Sequence, residues 1–215
     1  MITTEFIEEN KIICICRRVY GDKLLKLAHA LFDGGIKMME VTFDQIDPNC
    51  NQKTAEAISM LTREFGGSMH FGAGTVLNCE QIDVAKAAGA EYIISPNTNV
   101  DVIKYTKKLG LISIPGAMTP SEVITAHESG ADLVKLFPAG YLGCGYIKDI
   151  LGPISHVKMI ATGGINEGNL RDYLDLGIVG AGISGRLTER KLIDEGSFDE
   201  FTNRAKSFVE IAQSK

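Results

Sequence analysis

Three charged residues stand in apolar surroundings that would give them unusual chemistry. In Asp132-Leu133-Val134-Lys135-Leu136-Phe137-Pro138-Ala139, one lysine lies among four apolar neighbours. A parallel strand is covered on both faces, so the ammonium would meet a low-dielectric interior. Desolvation there lowers a lysine pKa and frees the amine as a nucleophile for Schiff-base chemistry. Snorkelling at a strand edge is the alternative. In Met38-Met39-Glu40-Val41-Thr42-Phe43, alternation puts Glu40 on one face with Met38 and Thr42. A carboxyl buried there has a raised pKa and suits general acid–base work, unless a structural ion pair neutralises it. Ile12-Ile13-Cys14-Ile15-Cys16-Arg17 closes on an arginine at the strand's C-terminal end. A guanidinium in that position can grip a carboxylate or phosphate bidentately, although a surface arginine is the plainer reading.

Two strand ends are rich in small polar groups. Gly72-Ala73-Gly74-Thr75 offers a hydroxyl and close backbone approach, and Ala161-Thr162-Gly163-Gly164-Ile165-Asn166 sets a glycine pair before a helix. Backbone N–H groups at such a place hold phosphate, but tight turns need glycine too. His29, His70, His127 and His156 are dispersed and read as structural or exposed. Cys14, Cys16, Cys50, Cys79 and Cys144 form no CxxC pair, which argues against a zinc site or a disulfide framework. Cys14 and Cys16 share one strand face, as buried small hydrophobes do.

Strands must position these residues, and the chain supplies them at regular intervals. Short β-type runs at residues 12–17, 37–43, 69–75, 92–95, 112–115, 133–137, 157–162 and 178–182 alternate with helix-type segments. Those segments cover 22–32, 53–64, 81–88, 100–109, 121–129, 146–151 and 169–176, with a terminal helix over 198–213 and a helical extension before the first strand. Gly89, Gly110, Gly130 and Gly177 fall where helices must stop, as the left-handed C′ position favours. Strands returned by covering helices make a parallel sheet. Eight such units in one chain predict an α/β fold, a single (β/α)8 TIM barrel over residues 1–215, with function at the strand C-terminal ends. A doubly wound open sheet shares this alternation. Gly72, Gly74, Gly163, Gly164 and Gly182 lie at strand ends and read as places where backbone approaches a ligand. The polar segment 44–52 reads as a longer loop over the barrel mouth.

Composition excludes several classes of protein. With 215 residues, 45% apolar and 23% charged, the chain is an ordinary globule that needs no staples. Its net charge of −5 and its scattered Lys and Arg argue against nucleic acid as a partner. No apolar run nears the ~18 residues of a membrane span, so no membrane partner is expected. The acidic start lacks the order of a secretion signal, and the chain reads as cytoplasmic.

Taken together and in this order, the motifs resemble the class I aldolase family that acts on 2-keto-3-deoxy-6-phosphogluconate (KDPG) and 4-hydroxy-2-oxoglutarate (KHG). The matching segments are Gly34-Gly35, Glu40-Val41-Thr42, Gly72-Ala73-Gly74-Thr75-Val76, Ile94-Ser95-Pro96, Ile114-Pro115-Gly116, Lys135-Leu136-Phe137-Pro138-Ala139 and Thr162-Gly163-Gly164-Ile165. The resemblance implies a pyruvate aldolase on a TIM barrel, a homotrimer with a small keto-acid substrate and no metal or cofactor. Lys135 matches the family's Schiff-base lysine and Glu40 its general acid/base. Arg17 and Thr75 match positions that hold the substrate carboxylate. Thr162 matches a residue near the substrate hydroxyls, Gly163 and Gly164 part of the phosphate site, and Ser184 lies in the strand-eight turn. Phe137, Pro96 and Pro115 would shape the pocket.

Departures from the pattern bear on the substrate. Asp44 stands where some members carry arginine, and it would repel an anion if it points inward. In Gly182-Ile183-Ser184-Gly185-Arg186, Ile183 removes a flexible position and Arg186 could add a phosphate ligand. Gly140 stands where some members carry glutamate. The alternatives are an aldolase for 2-keto-3-deoxy-6-phosphogalactonate, a different barrel enzyme such as a sugar-phosphate epimerase, and a non-catalytic sugar-phosphate-binding barrel. Retention of both Lys135 and Glu40 argues against the last.

Overall fold

Runs of alternating inward and outward apolar residues form the strands of the computed structural model, which describes residues 2–214. The strands are β1 (Ile12–Cys16), β2 (Met38–Thr42), β3 (His70–Gly74), β4 (Tyr92–Ile94), β5 (Ile112–Ile114), β6 (Gly116–Ala117), β7 (Val134–Leu136), β8 (Met159–Thr162) and β9 (Gly180–Ile183). Helix α1 (Thr4–Asn10) precedes them. Between strands come α2 (Gly21–Asp33), α3 (Cys50–Phe65), α4 (Cys79–Ala87), α5 (Val100–Lys108), α6 (Pro120–Glu128), α7 (Ala139–Leu151) and α8 (Leu170–Asp175). Helices α9 (Arg190–Glu195) and α10 (Phe198–Gln213) follow β9.

Every ladder is parallel, and the spatial order is β5-β4-β3-β2-β1-β9-β8-β7-β6. The two outermost strands are consecutive in the chain, separated by Pro115 alone. Proline has no N–H to give a ladder. Residues before it pair with β4, while Gly116 and Ala117 pair with β7 and the Pro115 carbonyl accepts from the Lys135 N–H at 2.9 Å. One bent strand thus joins both edges, and the sheet closes as the eight-stranded barrel that the alternation predicts.

Side chains divide as the period of two requires. Ile13, Met38, Tyr92, Ile112, Leu133 and Ile160 fill the barrel interior. Cys14, Cys16, Met39, Val41, Val134 and Leu136 face the helical shell. Helix α1 closes the barrel at the strand starts. Ile7 is fully buried against the interior cluster, a contact worth about 1.5–3 kcal/mol. The Ile2 N–H donates to Glu91 Oε1 at 2.9 Å, Phe6 meets the His70 ring at 4.6 Å, and Glu8 pairs with Lys158 at 2.6 Å. Among the described residues, α1 thus covers the strand starts and leaves the strand C-terminal ends as the open face of the barrel.

The predicted helix stops hold: Gly89, Gly110, Gly130 and Gly177 all have φ between +75° and +102°. Three features differ from the sequence reading. Helix α7 begins at Ala139 and is broken by Gly143 (φ 73°, ψ 166°), a glycine-rich start that reads as loop. Helix α9 has six residues, too few for a clear periodic signal. The loop after β2 ends at residue 49, because α3 takes up the rest of the polar segment.

Candidate active site

Glu40 and Lys135 both point into the barrel. Glu40 lies on β2 between Ile15 of β1 and Gly72 of β3, and Lys135 lies on β7 between Gly116 of β6 and Ile160 of β8. They are 1% and 3% exposed, so both side chains are desolvated. Burial holds the Lys135 amine below the ordinary lysine value; Arg17 acts in the same direction and Glu40 against it. Burial likewise raises the Glu40 carboxyl, opposed by Lys135 and Arg17. No hydrogen bond or ion pair joins the two side chains, and Glu40 Oε2 is buried with no hydrogen-bond partner. The arrangement provides an amine pushed toward its nucleophilic form and a carboxyl pushed toward its proton-carrying form.

Glycines make room for this pair. A Cβ on Gly74 would lie 2.6 Å from the Glu40 carboxyl, and one on Gly182 would lie 2.7 Å from Thr162 Oγ1. A Cβ on Gly72 would lie 2.2 Å from the Tyr92 ring. The sequence reading of Gly72 and Gly74 as points of ligand approach is therefore corrected: they clear space for inward side chains of neighbouring strands, whereas Gly182 both makes room for Thr162 and lines the cleft at the strand ends, as that reading expects. Gly163 and Gly164 differ, having φ of +89° and +79°, backbone that favours glycine.

A cleft of about 440 Å³ opens above the pair at the ends of β1, β7, β8 and β9. Arg17, Phe137, Thr162, Gly163, Gly164 and Ser184 line it together. Lys135 and Glu40 are not in its lining. Lys135 lies deeper, in register with Ile160, two residues before Thr162, with its Nζ 4.9 Å from the Phe137 ring centre. Thr75 and Pro96 also stand outside the lining, on the loops after β3 and β4. Thr75 has φ +57°, strained for a β-branched residue, and its carbonyl accepts from Gln45 Nε2 at 2.7 Å. The Pro96 backbone abuts Gly116, the register partner of Lys135, so closely that a Gly116 Cβ would lie 2.4 Å from it. The Pro115 ring position marks the bend that closes the barrel.

Arg17 is exposed and forms no hydrogen bond or ion pair among the described residues, which leaves its guanidinium available to an anion. The Asp44 charge is answered by Arg18, through Nη2 at 3.0 Å and Nε at 2.8 Å, so it does not stand alone at the mouth. Arg186 lines the cleft but is held by the Glu167 carboxylate, Nε at 3.0 Å and Nη2 at 2.9 Å. Ile183 is 1% exposed and faces the helical shell, so its side chain costs the turn nothing. Gly140 donates its N–H to the Gly163 carbonyl at 2.7 Å, and a Cβ there would strike that carbonyl. The N–H groups of Gly164, Ile165, Gly185 and Arg186 donate to no group among the described residues. Together they form an unsatisfied rim of donors around the cleft.

Sequence reasoning missed Tyr92. It reads as one apolar residue in a strand, yet it is fully buried inside the barrel with a hydroxyl that has no partner. Only the lateral register, with Gly72 standing between Tyr92 and Glu40, shows what it adjoins.

A family model described as KDPG and KHG aldolase matches residues 3–204. The 2-dehydro-3-deoxy-phosphogluconate aldolase of Haemophilus influenzae is 32% identical over 208 residues, 96% of this chain and 95% of that protein. The 2-dehydro-3-deoxy-6-phosphogalactonate aldolase of Escherichia coli is 32% identical over 177 residues, 82% and 83% of the two chains. Among solved structures, the KDPG aldolase of Legionella pneumophila, with pyruvate captured as a covalent carbinolamine intermediate, superposes with a TM-score of 0.85. It is 28% identical and covers 96% of this chain and 98% of its own.

Proposed function

The chain belongs to the KDPG and KHG aldolase family, a group of carbon–carbon lyases, and we propose that it cleaves its substrate through a Schiff base on Lys135. The substrate is a 2-keto-3-deoxy sugar acid phosphate or 4-hydroxy-2-oxoglutarate, and the products are pyruvate and an aldehyde, glyceraldehyde 3-phosphate or glyoxylate. The observation that carries this reading is the buried, unbridged pair Lys135 and Glu40, each shifted toward its neutral form by burial.

The neutral Lys135 amine attacks the C2 keto carbon, and the carbinolamine loses water to give an iminium. Glu40, as carboxylate, takes the proton of the C4 hydroxyl; the C3–C4 bond breaks, and its electron pair passes into the iminium to form an enamine. The aldehyde leaves. Glu40, now protonated, returns its proton to C3, and hydrolysis releases pyruvate and the free amine. The iminium is the electron sink of this sequence. Arg17 and Thr75 hold the carboxylate end, Thr162 lies near the hydroxyls, and Phe137 and Pro96 shape the pocket.

A phosphorylated substrate is supported by the donor rim of Gly164, Ile165, Gly185 and Arg186, with Ser184 beside it. The galactonate epimer falls within the same reading, since the two relatives named for the two sugars are 32% identical to this chain alike. A homotrimer is proposed with it: Ile46 (80% exposed), Leu77 and Met118 are exposed apolar side chains on loops at the strand C-terminal ends, of the kind that a subunit interface would cover. The free cysteines fit a reducing, cytoplasmic setting. The test is pyruvate release from KDPG, its galactonate epimer and 4-hydroxy-2-oxoglutarate, with sedimentation to count subunits. Pyruvate from none of the three rejects the reading.

A further inference from the structure

Inside the barrel, two buried polar atoms lack partners close to the proposed chemistry: Glu40 Oε2 and the Tyr92 hydroxyl. Buried polar groups are rarely left so, and two of them on adjacent positions of the barrel interior point to a shared function. The register explains their proximity. Glu40, Gly72 and Tyr92 lie side by side on β2, β3 and β4. The middle position has no side chain, and the Tyr92 ring occupies the space where its Cβ would stand. The phenol therefore reaches across β3 toward β2, beneath the carboxyl that rests over Gly74. Of the titratable groups, Glu40 bears on the phenol most strongly, ahead of Cys14 and Glu91, and the Met39 backbone N–H of β2 lies near the phenol oxygen, which leaves the O–H as the group still to be placed. Burial keeps the phenol protonated, so it is available as a donor at any working pH.

Building on the aldolase reading, we propose that Tyr92 is a positioning residue for Glu40. Its O–H donates toward the Glu40 carboxylate through one buried water, since the two side chains make no direct hydrogen bond, and steadies the anion that takes the substrate proton. The other titratable groups facing Glu40 are Lys135 from β7, Arg17 beyond β1, and Cys14 and Cys16 on β1. Both thiols are held in their neutral form by burial, Cys16 pushed up to about 12, so they do not titrate in the working range. Lys135 is consumed as the iminium during turnover, which leaves Glu40 to set the acidic limb of kcat.

The experiment is the pH profile of kcat for the wild-type enzyme, Tyr92→Phe, Glu40→Gln and the double variant. A donor to a carboxylate lowers its pKa, so its removal moves the acidic limb to higher pH by about one unit. At the wild-type limb, kcat of Tyr92→Phe falls about tenfold, KM stays within about twofold, and thermal stability stays close to that of the wild type because no direct hydrogen bond between protein groups is lost. In the Glu40→Gln background the same change has no further effect on kcat. An acidic limb that stays in place, or an equal loss in the Glu40→Gln background, overturns the proposal while leaving the aldolase reading intact. Absence of pyruvate release by the wild-type enzyme overturns that reading instead.

Discussion

Replacing Gly74 with alanine displaces Glu40 without touching it. The new Cβ would lie 2.6 Å from the carboxyl carbon and Oε1 of Glu40 and 3.0 Å from Oε2. Ordinary contact begins near 3.4 Å, so the carboxyl must retreat by about 0.8 Å. Misplacing a reacting group by about 1 Å costs on the order of 10²-fold in rate. The effect on stability is small. An off-rotamer Glu40 costs about 0.5–1.5 kcal/mol, while replacing a strand glycine by alanine returns roughly 0.5–1 kcal/mol. The expected result is kcat lowered about 10²-fold with a melting temperature close to that of the wild type. The assay is coupled pyruvate release beside a thermal melt, with Gly145→Ala as control, since a Cβ there meets nothing within 4 Å. A kcat within about threefold of wild type at unchanged stability would refute the reasoning that Glu40's placement limits the reaction.

Glu40→Gln itself slows turnover by roughly 10²-fold or more but retains covalent attachment of pyruvate, measured by mass after reduction. It also alters stability in a pH-dependent way. Glu40 has a folded pKa raised above 4.5, so across that window the folded state binds more protons than the unfolded one, and wild-type stability falls as pH rises. The glutamine variant escapes this loss, and its thermal advantage is absent below the ordinary carboxylate range and grows toward neutral pH; an advantage independent of pH refutes it. Gly140→Ala, whose Cβ would lie 2.7 Å from the Gly163 carbonyl, shifts the glycine turn against the cleft. It raises KM for a phosphorylated substrate more than for 4-hydroxy-2-oxoglutarate, and equal changes for both count against a phosphate site there.

Features that depend on neighbours along the chain were legible in the sequence. The inward face of Met38, Glu40 and Thr42, the burial of Lys135 and the glycine stops after four helices all follow from period and local backbone conformation. What was not legible depends on lateral register between strands. Gly72 and Gly74 read as ligand approach because sequence alone does not show that Tyr92 and Glu40 fill their spaces. Asp44 read as a lone charge because its partner, Arg18, is 26 residues away at the end of another strand. Pro115 read as a strand end, although it is the bend through which a single strand pairs on both sides.

The account stands or falls on a covalent bond to Lys135. Incubation with pyruvate followed by borohydride reduction should leave a reduced pyruvate adduct on the peptide that carries Lys135, absent from Lys135→Ala and from protein reduced without pyruvate. No adduct, or one on another lysine, would contradict it.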